Sequence, residues 1–260
     1  MDVKDQPPTE SNPDTDDQTV EIDPSSTVLD LTSFQLHNLD SVELPLVLTE
    51  LDLTANRLSS LDPRIALLSN LKKFSLRQNL IDDAAIEPFS GWEALSGLEV
   101  MENLENLTNL QELWLGRNRI KAVNLCGLKC IKKLSLQSNR LTSMKGFEEC
   151  VALEELYLSH NGITKMEGLS TLVNLCVLDV SSNKLTSVDD IQNLTRLQDL
   201  WLNDNQIESL EGIADAIAGS RQKLTTIYLE NNPCARSPNY ATTLRQICPN
   251  IQQIDSNVFA

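Results

Sequence analysis

Catalytic signatures are missing from this 260-residue chain. It holds no GxSxG, HExxH, P-loop or GxGxxG, and its two histidines, His37 and His160, lie far apart. Neither has the partners for a triad or a metal site, so no enzyme activity and no cofactor are expected. Basic residues are in short supply, 21 against 37 acidic ones, and the formal charge of -16 turns phosphate backbones and anionic lipid surfaces away. Direct nucleic-acid and membrane contacts are therefore not expected. No apolar run approaches the roughly 20 residues needed to cross a bilayer, and the basic-then-apolar start of a secretory signal is lacking. That points to an intracellular setting. The six cysteines (Cys126, Cys130, Cys150, Cys176, Cys234 and Cys248) include no CxxC pair, so they read as small apolar core residues in a reducing compartment.

Hydrophobic residues, 41% of the chain, supply material for a sizeable core. Residues 1–25 hold almost nothing that could be buried: they carry eight acids, one lysine and four prolines, a composition that reads as a disordered acidic tail. Residues 26–232 are repetitive. Leu48, Leu51, Leu53, Asn56 and Leu58 follow the spacing L-x-x-L-x-L-x-x-N-x-L of a leucine-rich repeat. The template recurs around Asn79, Asn118, Asn139, Asn161, Asn183, Asn205 and Asn232, and a worn copy sits at Leu29 and Leu31.

A period near 22 predicts an α/β solenoid, a horseshoe with a parallel concave sheet of three- or four-residue strands. Pairs such as Met144 and Phe147, or Met166 and Leu169, leave room for one or two helical turns on the outer wall. The asparagines should satisfy backbone groups where the chain leaves each strand. Residues 233–260 read as a C-terminal cap of one helix and one extended segment, carried by Tyr240, Leu244, Ile247, Ile251 and Ile254.

One interval breaks the rhythm. Asn79 and Asn118 are 39 residues apart, five short of two periods, with an irregular seam near 82–103. Trp92, Leu95 and Leu98 look like half a rung, and Val100, Met101 and Leu104 like half of another. Either repeats are missing at Leu98 to Met101, through splicing or a gene-model error, or the segment is an irregular native loop.

Period-two alternation puts the residue between the two strand leucines on the concave face. In order these are Asp30, Asp52, Ser75, Trp114, Ser135, Tyr157, Asp179, Trp201 and Tyr228, with Glu112, Glu155 and Asp199 two places earlier and Glu230 beyond the last strand. Aromatic residues make up 4% of the chain, yet two tryptophans and two tyrosines are expected to stand exposed on this face among carboxylates. They read as anchors for a partner patch rich in arginine or lysine. Stacking of the rings on one another is the structural alternative.

The 22-residue period, the phrases LSLQSNRLTSMKGFEECVALEELYLSHNGI and LQDLWLNDNQIESL, and the ending TIYLENNP followed by PNIQQID resemble the leucine-rich regulatory subunit 7 family of type-1 protein serine/threonine phosphatase. The likeness runs from about residue 28 to the end. It implies a noncatalytic subunit of nucleus and cytoplasm that holds the phosphatase catalytic subunit in its concave face and modulates activity, maturation or targeting. A further phosphatase inhibitor protein is an additional partner in that picture. The docking positions it implies are Trp114, Asp179, Asp199, Trp201 and Tyr228; Tyr157 and Glu230 join them from the facing pattern alone. Family arrays look longer, so the chain resembles a form missing internal repeats. A similar cap in the leucine-rich component of a spliceosomal ribonucleoprotein keeps a second scaffold reading open.

Overall fold

A computed structural model describes residues 22–82, 107–123, 125 and 127–259. Residues 1–21 of the acidic tail, the two half rungs of the seam and Cys126 lie outside the described residues.

A three-residue strand centres on the first apolar residue of each L-x-L: β1 (Val28–Asp30), β2 (Glu50–Asp52), β3 (Lys73–Ser75), β4 (Glu112–Trp114), β5 (Lys133–Ser135), β6 (Glu155–Tyr157), β7 (Val177–Asp179), β8 (Asp199–Trp201) and β9 (Thr226–Tyr228). Two more, β10 (Gln253–Ile254) and β11 (Asn257–Val258), complete an eleven-stranded sheet whose spatial order follows the chain. Strands β1 to β10 are parallel, and only β11 runs antiparallel. The middle residue of every rung, from Leu29 through Leu51, Phe74 and Leu113 to Ile227, pairs with its counterpart and is buried. This is the core expected from the alternation.

The seam leaves no gap in the sheet. Phase is kept across the 39-residue interval, because Phe74 of β3 pairs directly with Leu113 of β4.

The asparagine ladder knits the rungs. Asn118 Nδ2 donates to Leu115 O of its own rung at 3.0 Å and to Leu76 O of the previous one at 2.9 Å, and its Oδ1 accepts from Ile81 N at 3.0 Å. Asn56, Asn79, Asn139, Asn161, Asn183, Asn205 and Asn232 repeat the pattern. The residue before each ladder asparagine is left-handed, as at Arg117 (φ 57) and His160 (φ 55), so the exposed His160 occupies a turn position.

The outer wall is less helical than the spacing predicts. In most rungs it is a run of i to i−3 turns: Cys150 N donates to Phe147 O and Leu153 N to Cys150 O. Every third residue then points inward, and Phe147, Cys150 and Leu153 are all fully buried. Twenty-two residues suffice for such a spiral and leave little length for an α-helix. Among the described residues the array proper has one short helix, α1 (Ile213–Ala216), in the 27-residue interval from Asn205 to Asn232, and a 3-10 turn at Pro63–Leu67 capped by Asp62.

After the last rung come a 3-10 turn at Pro233–Arg236, helix α2 (Tyr240–Ile247) and the β10–β11 hairpin, two short strands where the sequence predicts one extended segment. Cys150, Cys234 and Cys248 are buried, and burial pushes the Cys248 thiol up to about 11. Cys130 is exposed, which corrects its assignment to the core.

Candidate partner-binding face

The concave face bears three acids placed by backbone chemistry. Asp30 Oδ1 accepts from Thr32 N, Asp52 Oδ1 from Thr54 N and Asp179 Oδ1 from Ser181 N, at 2.9, 2.9 and 3.0 Å. An aspartate at the strand exit thus holds the chain as it turns, and the Thr32 bonds keep the Asp30 carboxyl below its usual range. Asp179 goes further. Its other oxygen accepts from Gln137 Nε2 at 3.1 Å and Oδ1 also accepts from Ser181 Oγ at 2.6 Å, leaving the residue 2% exposed. The expectation of an outward contact acid at Asp179 is therefore corrected: its hydrogen-bonding capacity is used within the face.

The rings are half-buried rather than free-standing. Trp114 and Tyr157 stack with centroids 6.4 Å apart and planes at 21°, although they belong to β4 and β6. Two strand spacings amount to about 9.6 Å, so both rings lean over the rung between them. That rung carries Ser135, which they cover to 1% exposure. Trp201 and Tyr228, on the neighbouring strands β8 and β9, meet edge to face at 5.8 Å and 73°. The side chains form two aromatic pairs, one on each side of Asp179.

Three of the rings, Trp114, Tyr157 and Trp201, follow an acid by two residues, and two of them are tied to it. Trp114 Nε1 donates to Glu112 Oε2 at 3.3 Å, and the Tyr157 hydroxyl donates to Glu155 Oε2 at 2.9 Å. Burial first, then that bond to Glu155, pushes the Tyr157 hydroxyl well above its ordinary value. Glu155 also pairs with Lys133 at 3.0 Å, which raises the lysine. On β8 the acid is Asp199, one methylene shorter, and no such bond forms. Trp201 Nε1 is buried without a hydrogen-bond partner, the only such side-chain atom among the described residues.

At the other end, the Arg77 guanidinium sits 6.0 Å from the Trp114 ring centroid, beside a shallow depression of about 380 Å³ bounded by Asp52, Lys73, Ser75 and Trp114. Asp199 is half-buried and Glu230 exposed, and the Tyr228 hydroxyl bonds Gln253 Nε2 of the cap. Trp114, Tyr157, Asp179, Asp199, Trp201 and Tyr228 thus all belong to one side of one sheet, and Glu230 follows two residues beyond β9. Among the described residues no group of three metal-ligating side chains converges.

Sequence reasoning missed a second asparagine row. Asn70, Asn109, Asn174 and Asn250 each donate to a backbone carbonyl of the rung before, Leu46, Ser69, Val151 and Gln222 in turn. Their shared position just before the first leucine of the template was a usable signal.

A leucine-rich-repeat sequence profile matches residues 131–171 and 173–215. A relative from Arabidopsis thaliana, named a protein phosphatase 1 regulatory inhibitor subunit PPP1R7 homolog, is 59% identical over 322 aligned positions that cover 94% of this chain and 98% of the relative. The chain belongs to the PPP1R7 family.

Among solved structures, a leucine-rich-repeat protein of Leptospira interrogans is 30% identical with a TM-score of 0.66, covering 80% of this chain and 48% of its own; the PPP1R7-family chain thus spans about half of it. An internalin C2 of Listeria monocytogenes matches at 20% identity and a TM-score of 0.59 over 80% of this chain and 78% of its own, which shows the fold alone. The alignment to the PPP1R7 homolog also carries a length difference. Of its 322 positions this chain, at 94% of 260 residues, fills about 244, so about 78 positions have no counterpart here. That is between three and four periods of the repeat.

Proposed function

We propose that this chain is a noncatalytic regulatory subunit that binds the catalytic subunit of type-1 protein serine/threonine phosphatase through its concave face, in nucleus and cytoplasm, and modulates its activity, maturation or targeting. Family membership supports the partner, since the Arabidopsis relative carries a phosphatase subunit's name. The unsatisfied Trp201 Nε1 supports the face. A buried donor without an acceptor costs about 1 to 3 kcal/mol, and a partner that supplies an oxygen as the indole turns toward it recovers that energy only in the complex. Tryptophan beside acids is also the composition of interface anchors. Trp114 and Tyr157 extend the anchor surface, and Asp199 and Glu230 steer a basic partner patch; Asp179 contributes by fixing the face between the two pairs.

The gap of about 78 positions belongs in this reading at the interval from Asn79 to Asn118, where the repeat spacing is irregular. This chain is then a shortened form whose rungs close up in register.

The test is capture of purified phosphatase catalytic subunit on immobilised chain. Trp201→Ala combined with Asp199→Ala should abolish capture. Trp201→Phe keeps an aromatic ring but removes the N–H with the pyrrole half of the indole, and should weaken binding about tenfold without loss of folding. Undiminished capture by both variants would remove the concave face as the site.

A further inference from the structure

At the carboxyl ends of the strands, the row of residues that directly follow the ladder asparagines lacks acids, in contrast to the acidic chain as a whole. Backbone hydrogen bonds stack the residues that follow the ladder asparagines into one row: Arg119 N donates to Ile81 O, Arg140 N to Ile120 O and Lys184 N to Ile163 O, at 2.8, 2.7 and 2.8 Å. None of the eight residues directly after a ladder asparagine is acidic, in a chain with 37 acids. Arg117, left-handed at φ 57, adds its side chain beside the row, and Arg77 flanks it one rung earlier. All five cations are exposed. Among the described residues Arg117, Arg119, Arg140 and Lys184 make no ion pair, although acids are in excess. Between Arg140 and Lys184 the row holds Gly162, which leaves a notch with no side chain.

We infer that this ridge, which meets the concave face at Arg77, is a second docking surface for an extended acidic segment of a partner protein. Arginines in a row offer planar forks that pair with carboxylates, a use for which lysine is the poorer choice. The rungs of Arg77 to Lys184 span four strand spacings, about 19 Å, which an extended chain covers with about six residues. A short acidic stretch fits that length. A long polyanion is disfavoured because the body beyond the ridge carries most of the -16 charge and repels it. The charges of the ridge follow from the row's composition and not from the phosphatase reading, so the two stand or fall separately.

The experiment is fluorescence anisotropy of a labelled hexaglutamate peptide titrated with the full chain at about 50 mM salt, where screening is weak. Binding should be measurable, and Arg119→Glu with Arg140→Glu should weaken it at least tenfold while leaving phosphatase capture unchanged. The control Lys129→Glu with Lys223→Glu makes the same change in net charge on exposed residues outside the row and should leave peptide binding as it was. Equal loss in the control overturns the proposal, since attraction would then follow net charge alone. Binding that ignores the Arg119 and Arg140 reversals also overturns it, as does tighter binding of a six-nucleotide single strand than of the peptide.

Discussion

Tyr240 donates its hydroxyl to Asp255 Oδ2 at 2.8 Å, while Asp255 Oδ1 accepts from Leu229 N and Glu230 N at 2.7 and 2.9 Å. In earlier rungs the residue after the strand gives its N–H to a carbonyl of the next one, as Leu202 N does to Tyr228 O. Beyond β9 lies only the two-residue strand β10, and there one carboxylate takes that place. Asp255→Ala leaves two N–H groups unpaired and puts alanine at φ 52. The expected loss is about 2 to 5 kcal/mol in urea unfolding. Asp255→Asn keeps an acceptor and tolerates the left-handed backbone, so it should cost less than half as much.

The same contact sets an alkaline limit. Burial, then the bond to Asp255, pushes the Tyr240 hydroxyl far above its ordinary value of 10.0, and Tyr157 is raised in the same way. Above about pH 10 the unfolded chain releases these protons and the folded one keeps them, so stability falls as pH rises. It is fully present below that value. Tyr240→Phe should flatten the decline between about pH 10 and 11 relative to wild type, measured as the urea midpoint.

Acid acts at the other end. Asp62 caps the turn at Pro63–Leu67, accepting from Arg64 N, and the Arg64 side chain holds its carboxyl below the ordinary 3.8. That stability is present above the unfolded value and lost as pH falls through the lower folded one. Asp62→Ala should cost about 1 kcal/mol at neutral pH and progressively less as the wild-type carboxyl protonates.

Rows of asparagine should differ in value. Asn183 is 8% exposed and serves Leu158 O, Val180 O and Ile163 N. Asn174 meets Val151 O in a solvent-facing position. Asn183→Ala should destabilise by about 2 to 5 kcal/mol and Asn174→Ala by about 0.5 kcal/mol, because water replaces only the second bond.

That contrast also marks what the sequence makes legible. Strands, inward leucines and the main ladder follow from a strict spacing, since period-two alternation and one polar residue per turn leave few choices. The aromatic pairs do not. Trp114 reaches Tyr157 only because the residue between them is as small as Ser135, a volume effect that crosses a rung. Asp179 reads as a contact acid by position, and only the neighbouring Gln137 and Ser181 show that its oxygens are already engaged. The orphan on Trp201 turns on the single methylene that separates Asp199 from a glutamate, a difference that a pattern of acids and aromatics does not register.

Array length should govern affinity for the phosphatase. Inserting three repeats between residues 82 and 107, the proposed place of the gap, would move the β1–β3 end about 14 Å along the sheet, at about 4.8 Å per rung. It would also break the contact of Arg77 with Trp114, which exists because β3 and β4 are neighbours. Trp201 and Tyr228 lie beyond β4 and keep their surroundings. If the partner reads the whole curved face, the longer form gains contact positions and should bind at least tenfold tighter, worth about 1.4 kcal/mol. If affinities measured side by side by calorimetry are equal, the face from β4 to β9 carries the binding by itself, and the rungs before it serve only to cover the first leucines.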